Sequence, residues 1–538
     1  MNILRSGAGK QMPHREFYLR LWRILRYFPG IEVPAEEYER QSEKEMRKSG
    51  VLMHISSLPG NYGIGTMGRS AREFVDFLAD AGQSYWQVLP LCPTGFGDSP
   101  YQSFCCEAGN PYFIDLDELK EEGLLEKKDL EDIEWESSPD RVDYGIMYKE
   151  RFKVLRKAVK VFLEDPDDKY KGFCRENLYW LDGYSLFMAV KDCCGGKPWY
   201  EWESACRNMD SGEDEKFRAE HRDDIKFWKV VQYFFFKQWY KLKDYANEKG
   251  ISIIGDLPIY VSLDSVSVWT RPELFQLDEN GMPIEVAGCP PDGFSDDGQL
   301  WGNPLYNWTY LEKDGYNWWI KKIDYLCHVF DVLRIDHFRG FESYYAVPYG
   351  ETTARKGRWR PGPGIDFFKK VKESLGSEKI IAEDLGFLTP QVYKMLDESG
   401  FPGMKVLEFA FDSRDRGTNM YLPHNYPENC VAYVGTHDND TAVGWYESLS
   451  VWERDYAKTY MGLNEQEGIA WGMMRNIWAS QAKITVVQAQ DLLELGSEAR
   501  MNIPSTKGAN WTWRALPGSF SEKLAARMNN AAEIYGRK

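Results

Sequence analysis

Short runs rich in Val, Ile, Leu and Tyr recur along the chain, and each ends in polar or turn residues. They cover residues 51–56, 85–91, 251–260, 331–336, 379–383, 404–411, 431–436 and 484–490. Such near-continuous apolar runs suit strands buried on both faces of a parallel sheet. Stretches with helical spacing separate most of them. Val231, Phe235, Trp239 and Leu242 form one such stripe, which Gly250 closes just before the third run. Eight buried strands alternating with helices predict an α/β fold of the (β/α)8, or TIM, barrel type.

The spacing is uneven. About 160 residues separate the second run from the third. Residues 92–245 are therefore predicted to form one or more helical subdomains inserted on the C-terminal rim of the barrel. Within them Tyr148, Phe152, Leu155, Val159 and Phe162 read as one apolar helical stripe. The charged run 210–224 reads as a solvated face. A second rim insertion, 262–325, separates the third run from the fourth. No repeat of 20–50 residues is evident, which excludes a solenoid.

Residues 17–28, FYLRLWRILRYF, are apolar but carry Arg20, Arg23 and Arg26. A secretory signal is not interrupted in this way, and the nearby Glu16, Glu32, Glu36 and Glu37 do not suit a transit peptide. Residues 1–48 are expected to be a helical N-terminal extension without chemistry, with Met46 a possible translation start. The catalytic barrel is assigned to 49–538.

Composition narrows the partners. A net charge of −17 disfavours a nucleic-acid groove and an anionic membrane surface but not a neutral substrate. No apolar run reaches the roughly 18 residues of a transmembrane helix. None of the ten cysteines lies in a CxxC spacing. Free thiols in a reducing, cytoplasmic setting are the simplest account. The 20 Trp and 32 Tyr fit either a large aromatic core or a cleft for a ligand with flat apolar faces, such as a sugar.

Catalytic groups of a barrel of this class stand at the C-terminal ends of its strands. The fourth run ends Arg334, Ile335, Asp336, and the period of two puts Arg334 and Asp336 on one face. An adjacent guanidinium is expected to lower the Asp336 pKa, as suits a nucleophile. The fifth run ends in Glu383, an acid emerging from an apolar strand, where a raised pKa suits a general acid. The seventh ends Thr436, His437, Asp438. Any one such acid is more often a helix cap. Three together suggest retaining glycoside chemistry through a covalent intermediate.

The chain resembles the amylomaltases, the disproportionating 4-alpha-glucanotransferases of glycoside hydrolase family 77. The resemblance runs over residues 50–515 and rests on long ordered blocks. They include SSLPGNYGIG, WQVLPLCPTGFGDSPYQSF, GDLPIYV, PPDGFSDDGQLWGNPLY, LRIDHFRGFE, IAEDLGFLTPQV, GTHDNDTAVGWY and GSEARMNIP. It implies that Asp336 is the nucleophile, Glu383 the acid/base and Asp438 the transition-state stabiliser. Arg334 and His437 would hold the donor sugar beside them. Tyr101 would be an aromatic platform on a loop shaped by Asp98 and Ser99, and Asp256 a sugar-binding acid of the third strand. Asp292 and Trp301 would belong to a loop, 288–301, arching over the acceptor side. Phe96 stands where many relatives carry Tyr.

The implied donors are α-1,4-glucans and maltooligosaccharides, with glucose or other glucans as acceptors, in glycogen or starch metabolism. No cofactor or metal ion is called for, and no EF-hand-type loop is present. Two alternatives stay open from the residues themselves. A hydrolase of the amylase type would use the same acids, with water intercepting the intermediate. A non-catalytic glucan-binding protein would be expected to lack Asp336 or Glu383.

Overall fold

The computed structural model describes residues 47–538 apart from 96, 208–210, 292–294, 377–378, 387, 413–416 and 507. The expected N-terminal extension, Asp292 and Phe96 thus lie outside the described residues. Eight parallel strands form one sheet: β1 (Lys48–Leu52), β2 (Tyr85–Gln87), β3 (Ser252–Leu257), β4 (Val332–Ile335), β5 (Ile380–Ala382), β6 (Gly403–Val406), β7 (Cys430–Tyr433) and β8 (Ile484–Gln488). Each pairs with its neighbour in chain order except β5 with β6, and β8 pairs with β1. Between β5 and β6 the Ala382 N–H donates to the Pro402 carbonyl at 2.9 Å, which brings the barrel nearly to closure. Every residue of β4, β5, β6, β7 and β8 is buried, as strands covered on both faces require.

All eight expected runs contain a strand, but the sixth is cut short. After Val406 the chain turns into the 3-10 segment Leu407–Phe411. Apolar content alone does not separate a strand from a buried turn of helix.

Between β2 and β3 the named elements are all helices, joined by long loops, and the last of them, Arg222–Glu248, feeds β3. Its Val231, Phe235, Trp239 and Leu242 are all buried. The stripe expected from Tyr148 to Phe162 is broken. Helix Phe152–Phe162 buries Leu155, Val159 and Phe162, but Tyr148 is 70% exposed. It sits in a π-helical turn, Met147–Arg151, whose wider spacing rotates it off the buried face.

The excursions after β3 and β4 build an element absent from the sequence reading. Strands Glu285–Cys289, Gln299–Pro304, Ser343–Pro348 and Arg358–Pro361 form an antiparallel sheet on the rim. Gly288 pairs with Leu300 and Cys289 with Gln299, so the described residues at both ends of the 288–301 segment are anchored as a hairpin in that sheet.

The barrel wall leaves no room at Gly50 on β1. A Cβ there would lie 2.5 Å from both the Cβ and the carbonyl oxygen of Tyr85 on β2. Gly50→Ala is therefore expected to destabilise the fold by about 1–3 kcal/mol, as overpacking does. Urea unfolding checks this, and an unchanged midpoint would contradict the close approach of β1 and β2.

Candidate active site

Register across β3 and β4 places Asp256 directly beside Arg334. The Arg334 guanidinium donates to both oxygens of Asp256 at 2.7 Å and lies 3.1 Å from Asp336 Oδ1. Asp256 also accepts a hydrogen bond from the Tyr101 hydroxyl at 2.7 Å. Its side chain is 0% exposed, so it presents no oxygen to a ligand. That differs from the sugar-binding acid expected of it: Asp256 grips two other site residues.

Tyr101 is thereby fixed at the barrel mouth. Its ring stacks on His437 at 5.1 Å, nearly parallel, and Trp511 flanks both rings. Asp98 and Ser99 lie in the turn that leads to Tyr101. Asp98 adopts a φ of 60°, where L side chains are uncommon, and the Tyr101 N–H donates to Ser99 Oγ at 3.3 Å. Burial pushes the Asp98 carboxyl up to about 6.

Glu383, one residue past β5, is gripped by backbone. Its Oε2 accepts from the His337 N–H and its Oε1 from the Leu385 N–H, both at 2.7 Å. For His337 to donate there, the chain bends sharply after Asp336, and His337 takes a φ of 49°. Strain of about 1–2 kcal/mol is usual for a non-glycine residue held so. Trp301 packs edge-on against the His337 ring at 4.9 Å, which brings the hairpin strand to the residue after Asp336. Gln102 ties the Tyr101 loop to that same strand through Asn303 at 3.1 Å.

Asp438 is held differently. Asn502 donates to its Oδ1 at 2.6 Å, Arg500 donates to its carbonyl at 2.8 Å, and His437 Nε2 lies 3.4 Å from Oδ1. Sequence reasoning assigned no role to Asn502, Arg500, Trp511 or His337. All four lie in or beside the quoted blocks, but only folding brings residues 500–511 to the seventh strand end.

Electrostatics corrects one expectation. The Asp336 carboxyl is not lowered but pushed well above the ordinary range. Burial is the main cause, and Asp256, Glu383 and Asp438 add to it against the pull of Arg334. The guanidinium that was to lower it is already engaged twice by Asp256. Burial also raises Glu383, opposed by Arg334 and by its two backbone donors. Both carboxyls are thus raised, and Glu383 is one of the charges that raises Asp336. The His437 imidazole is pushed down by burial, and that of His337 to about 3.

The structure therefore brings Tyr101, Asp256, Arg334, Asp336, Glu383, His437, Asp438 and Trp301 to one end of the barrel, with Asp98 and Ser99 behind Tyr101. A family model described as 4-alpha-glucanotransferase matches residues 53–518. The 4-alpha-glucanotransferase of Clostridium butyricum is 50% identical over 487 residues, covering 90% of this chain and 100% of that protein. That of Thermus thermophilus is 45% identical over 502 residues, covering 91% and 99%. Among solved structures, an amylomaltase from Streptococcus agalactiae in complex with acarbose superposes with a TM-score of 0.89 at 46% identity, covering 91% of this chain and 99% of that one. The amylomaltase of Corynebacterium glutamicum shares the fold, with a TM-score of 0.74 at 19% identity over 91% of this chain and 76% of that one. On these matches, the chain belongs to the 4-alpha-glucanotransferases of glycoside hydrolase family 77.

Proposed function

We propose that the site performs a double displacement on an α-1,4-glucan, with Asp336 as nucleophile, Glu383 as acid and base, and Asp438 as stabiliser of the positively charged transition state. The activity is that of a 4-alpha-glucanotransferase. The observation that carries the mechanism is the meeting of three acids from the ends of β4, β5 and β7, with Arg334 against the first and a fixed aromatic ring beside them.

Glu383 gives its proton to the glycosidic oxygen as the bond to the anomeric carbon breaks. Asp336 attacks that carbon and holds the donor as an ester. The leaving glucan departs, and the 4-hydroxyl of a new sugar enters. Glu383, now a carboxylate, takes its proton while the hydroxyl oxygen displaces Asp336. One α-1,4 bond is broken and one is made. A raised Glu383 suits this cycle, because a general acid must carry a proton to give. The backbone grip aims both Glu383 oxygens whichever form is present. Tyr101 offers a sugar face a rigid ring.

Transfer rather than hydrolysis is supported by the hairpin. Its Trp301 lies against the residue that follows the nucleophile. A strand in that position covers the acceptor side and limits water there.

Maltotriose given to the purified protein is expected to yield glucose and longer maltooligosaccharides with little net gain in reducing ends. Chromatography of early time points decides. Reducing ends that rise in step with maltotriose loss would make the chain a hydrolase.

The carboxylate roles separate with an α-glucosyl fluoride, whose leaving group needs little protonation. Glu383→Ala is expected to accumulate a covalent glycosyl adduct on Asp336, because no base remains to activate an acceptor. Asp336→Ala is expected to form none. Intact mass and peptide mapping report the outcome, and an adduct on Glu383 or Asp438 would reverse the assignment.

Crowded acids also predict a stability change. The folded state holds the Asp336 carboxyl above its unfolded value. Its contribution is therefore fully present below the ordinary carboxylate range and is lost as pH rises through the folded value. At neutral pH the aspartate destabilises the fold, and Arg334 keeps Asp256 as partner if it is neutralised. Asp336→Asn is expected to be more stable at pH 7 by about 0.5–2 kcal/mol, with the gap closing below about pH 4. Urea unfolding at both pH values tests this. A gap that widens on acidification would contradict it.

A further inference from the structure

Among the described residues no strand ladder joins β5 to β6, and Glu383 stands just past β5, beside that seam. Toward β4 the backbone holds it. The Glu383 N–H donates to the Ile335 carbonyl at 3.0 Å, and the Glu383 carbonyl accepts from the Phe338 N–H at 3.0 Å. Toward β6 the bond from the Ala382 N–H to the Pro402 carbonyl stops one residue short of it. Beyond that bond a side chain crosses the seam, that of Asp384.

Asp384 is buried, and its Oδ1 accepts from the Met404 N–H of β6 at 2.5 Å. Gly403 makes room for this approach. A Cβ there would stand 2.8 Å from both oxygens of the carboxyl. Lys405 Nζ lies 3.7 Å from Oδ2, which has no hydrogen-bond donor of its own. Lys405 is buried in turn, donates to the Met404 carbonyl at 3.2 Å and lies over the Tyr421 ring at 5.6 Å. Three successive residues of β6 thus meet one carboxyl from the end of β5.

Asp384 is not a helix cap, because Thr389 caps the helix that follows, Pro390–Ser399. A buried ion pair at this distance adds little net stability, since desolvating two charges costs about what their attraction returns. What the arrangement does is tie the end of β5 to β6. Glu383 Oε1 accepts from the Leu385 N–H at 2.7 Å, so the acid is folded back over Asp384 and shares its anchor.

We infer that Asp384 is a positioning residue for Glu383. Its carboxyl stands in for the ladder bond that β5 and β6 lack, and Lys405 keeps that carboxyl aimed across the seam. Without it Glu383 keeps its contacts with β4, but Leu385, whose N–H aims one of its oxygens, is released. Asp336 and Arg334 are carried by β4 and stay in place. The assignment rests on the proposed role of Glu383 as acid and base.

Two double variants test it without leaving a buried charge unpaired. Asp384→Ala with Lys405→Met removes the bond across the seam, whereas Asp384→Asn with Lys405→Met keeps an oxygen for the Met404 N–H. The alanine double variant is expected to lower kcat for maltotriose disproportionation on the order of tenfold to a hundredfold with KM within about twofold, as misplacement of a catalytic group does. Its first-turnover release of fluoride from an α-glucosyl fluoride, which needs little help from an acid, is expected to stay within about threefold of the natural protein. The asparagine double variant is expected to stay within about threefold on both substrates. Glu383→Ala, measured alongside, separates the two claims. If it keeps full activity on maltotriose, the role of Glu383 fails and the positioning role with it. If it is inactive there while the alanine double variant retains kcat, the positioning role alone fails. Equal losses on maltotriose and on the fluoride mark general damage and overturn the assignment, as does an asparagine double variant as impaired as the alanine one. If the alanine double variant does not fold, Gly403→Ala replaces it, because its Cβ displaces the same carboxyl, and the same split between the two substrates decides.

Discussion

The buried ion pair of Asp256 and Arg334 organises the mouth of the barrel. Parallel register sets the two residues side by side, and alternation along β3 and β4 turns both to one face. Taking two charges out of water is expensive, and geometry this close, with further hydrogen bonds, is what offsets it. Each oxygen of Asp256 is used, by Arg334 and by Tyr101. The pair then sets the rest. Tyr101 cannot swing away from His437 while its hydroxyl is bound, and Asp336 receives only what Arg334 has left to offer. Loss of Asp256 would leave a buried guanidinium facing Asp336 alone and a tyrosine without its anchor. Such an ion pair adds little net stability but holds one arrangement among several.

A site built this way is strained by design. Acids from neighbouring strand ends crowd together, burial raises those nearest the floor, and His337 bends through an unfavourable backbone conformation to reach Glu383. The surrounding barrel bears this because its strands are buried throughout and its wall is closely packed. Strained groups clustered at one end of a rigid scaffold are where chemistry is expected.

Much of this was legible in the sequence, and the failures have physical reasons. Eight apolar runs mark eight strands because strands covered on both faces need continuous apolar sequence. The shared face of Arg334 and Asp336 follows from a period of two. The rim sheet was missed because its strands are short and carry glycines and prolines, which read as loop. Tyr148 left its stripe because one π turn shifts the phase of a helix without changing its composition. The Asp336 pKa came out with the wrong sign because the reading saw Arg334 two residues away and could see neither the burial of the carboxyl nor Asp256, 78 residues before Arg334, engaging the same guanidinium. Asn502 and Arg500 were invisible as partners of Asp438 for the same reason: nothing local marks a contact made across more than 60 residues.

The proposed acids differ in how they are held, and that difference follows their roles. Glu383 is fixed by two backbone N–H groups, which move only if β4 and β5 move. A group that must give and retake a proton from one place benefits from so stiff a mount. Asp438 is instead 49% exposed and held through side chains from a later segment. A carboxylate that only needs to face positive charge as it develops tolerates such a mount, provided the turn beneath it keeps its shape. That turn has no ladder of its own beyond Tyr433. It relies on Asn439, whose amide oxygen accepts from the Thr436 N–H and the Thr436 hydroxyl and so closes the backbone beneath Asp438.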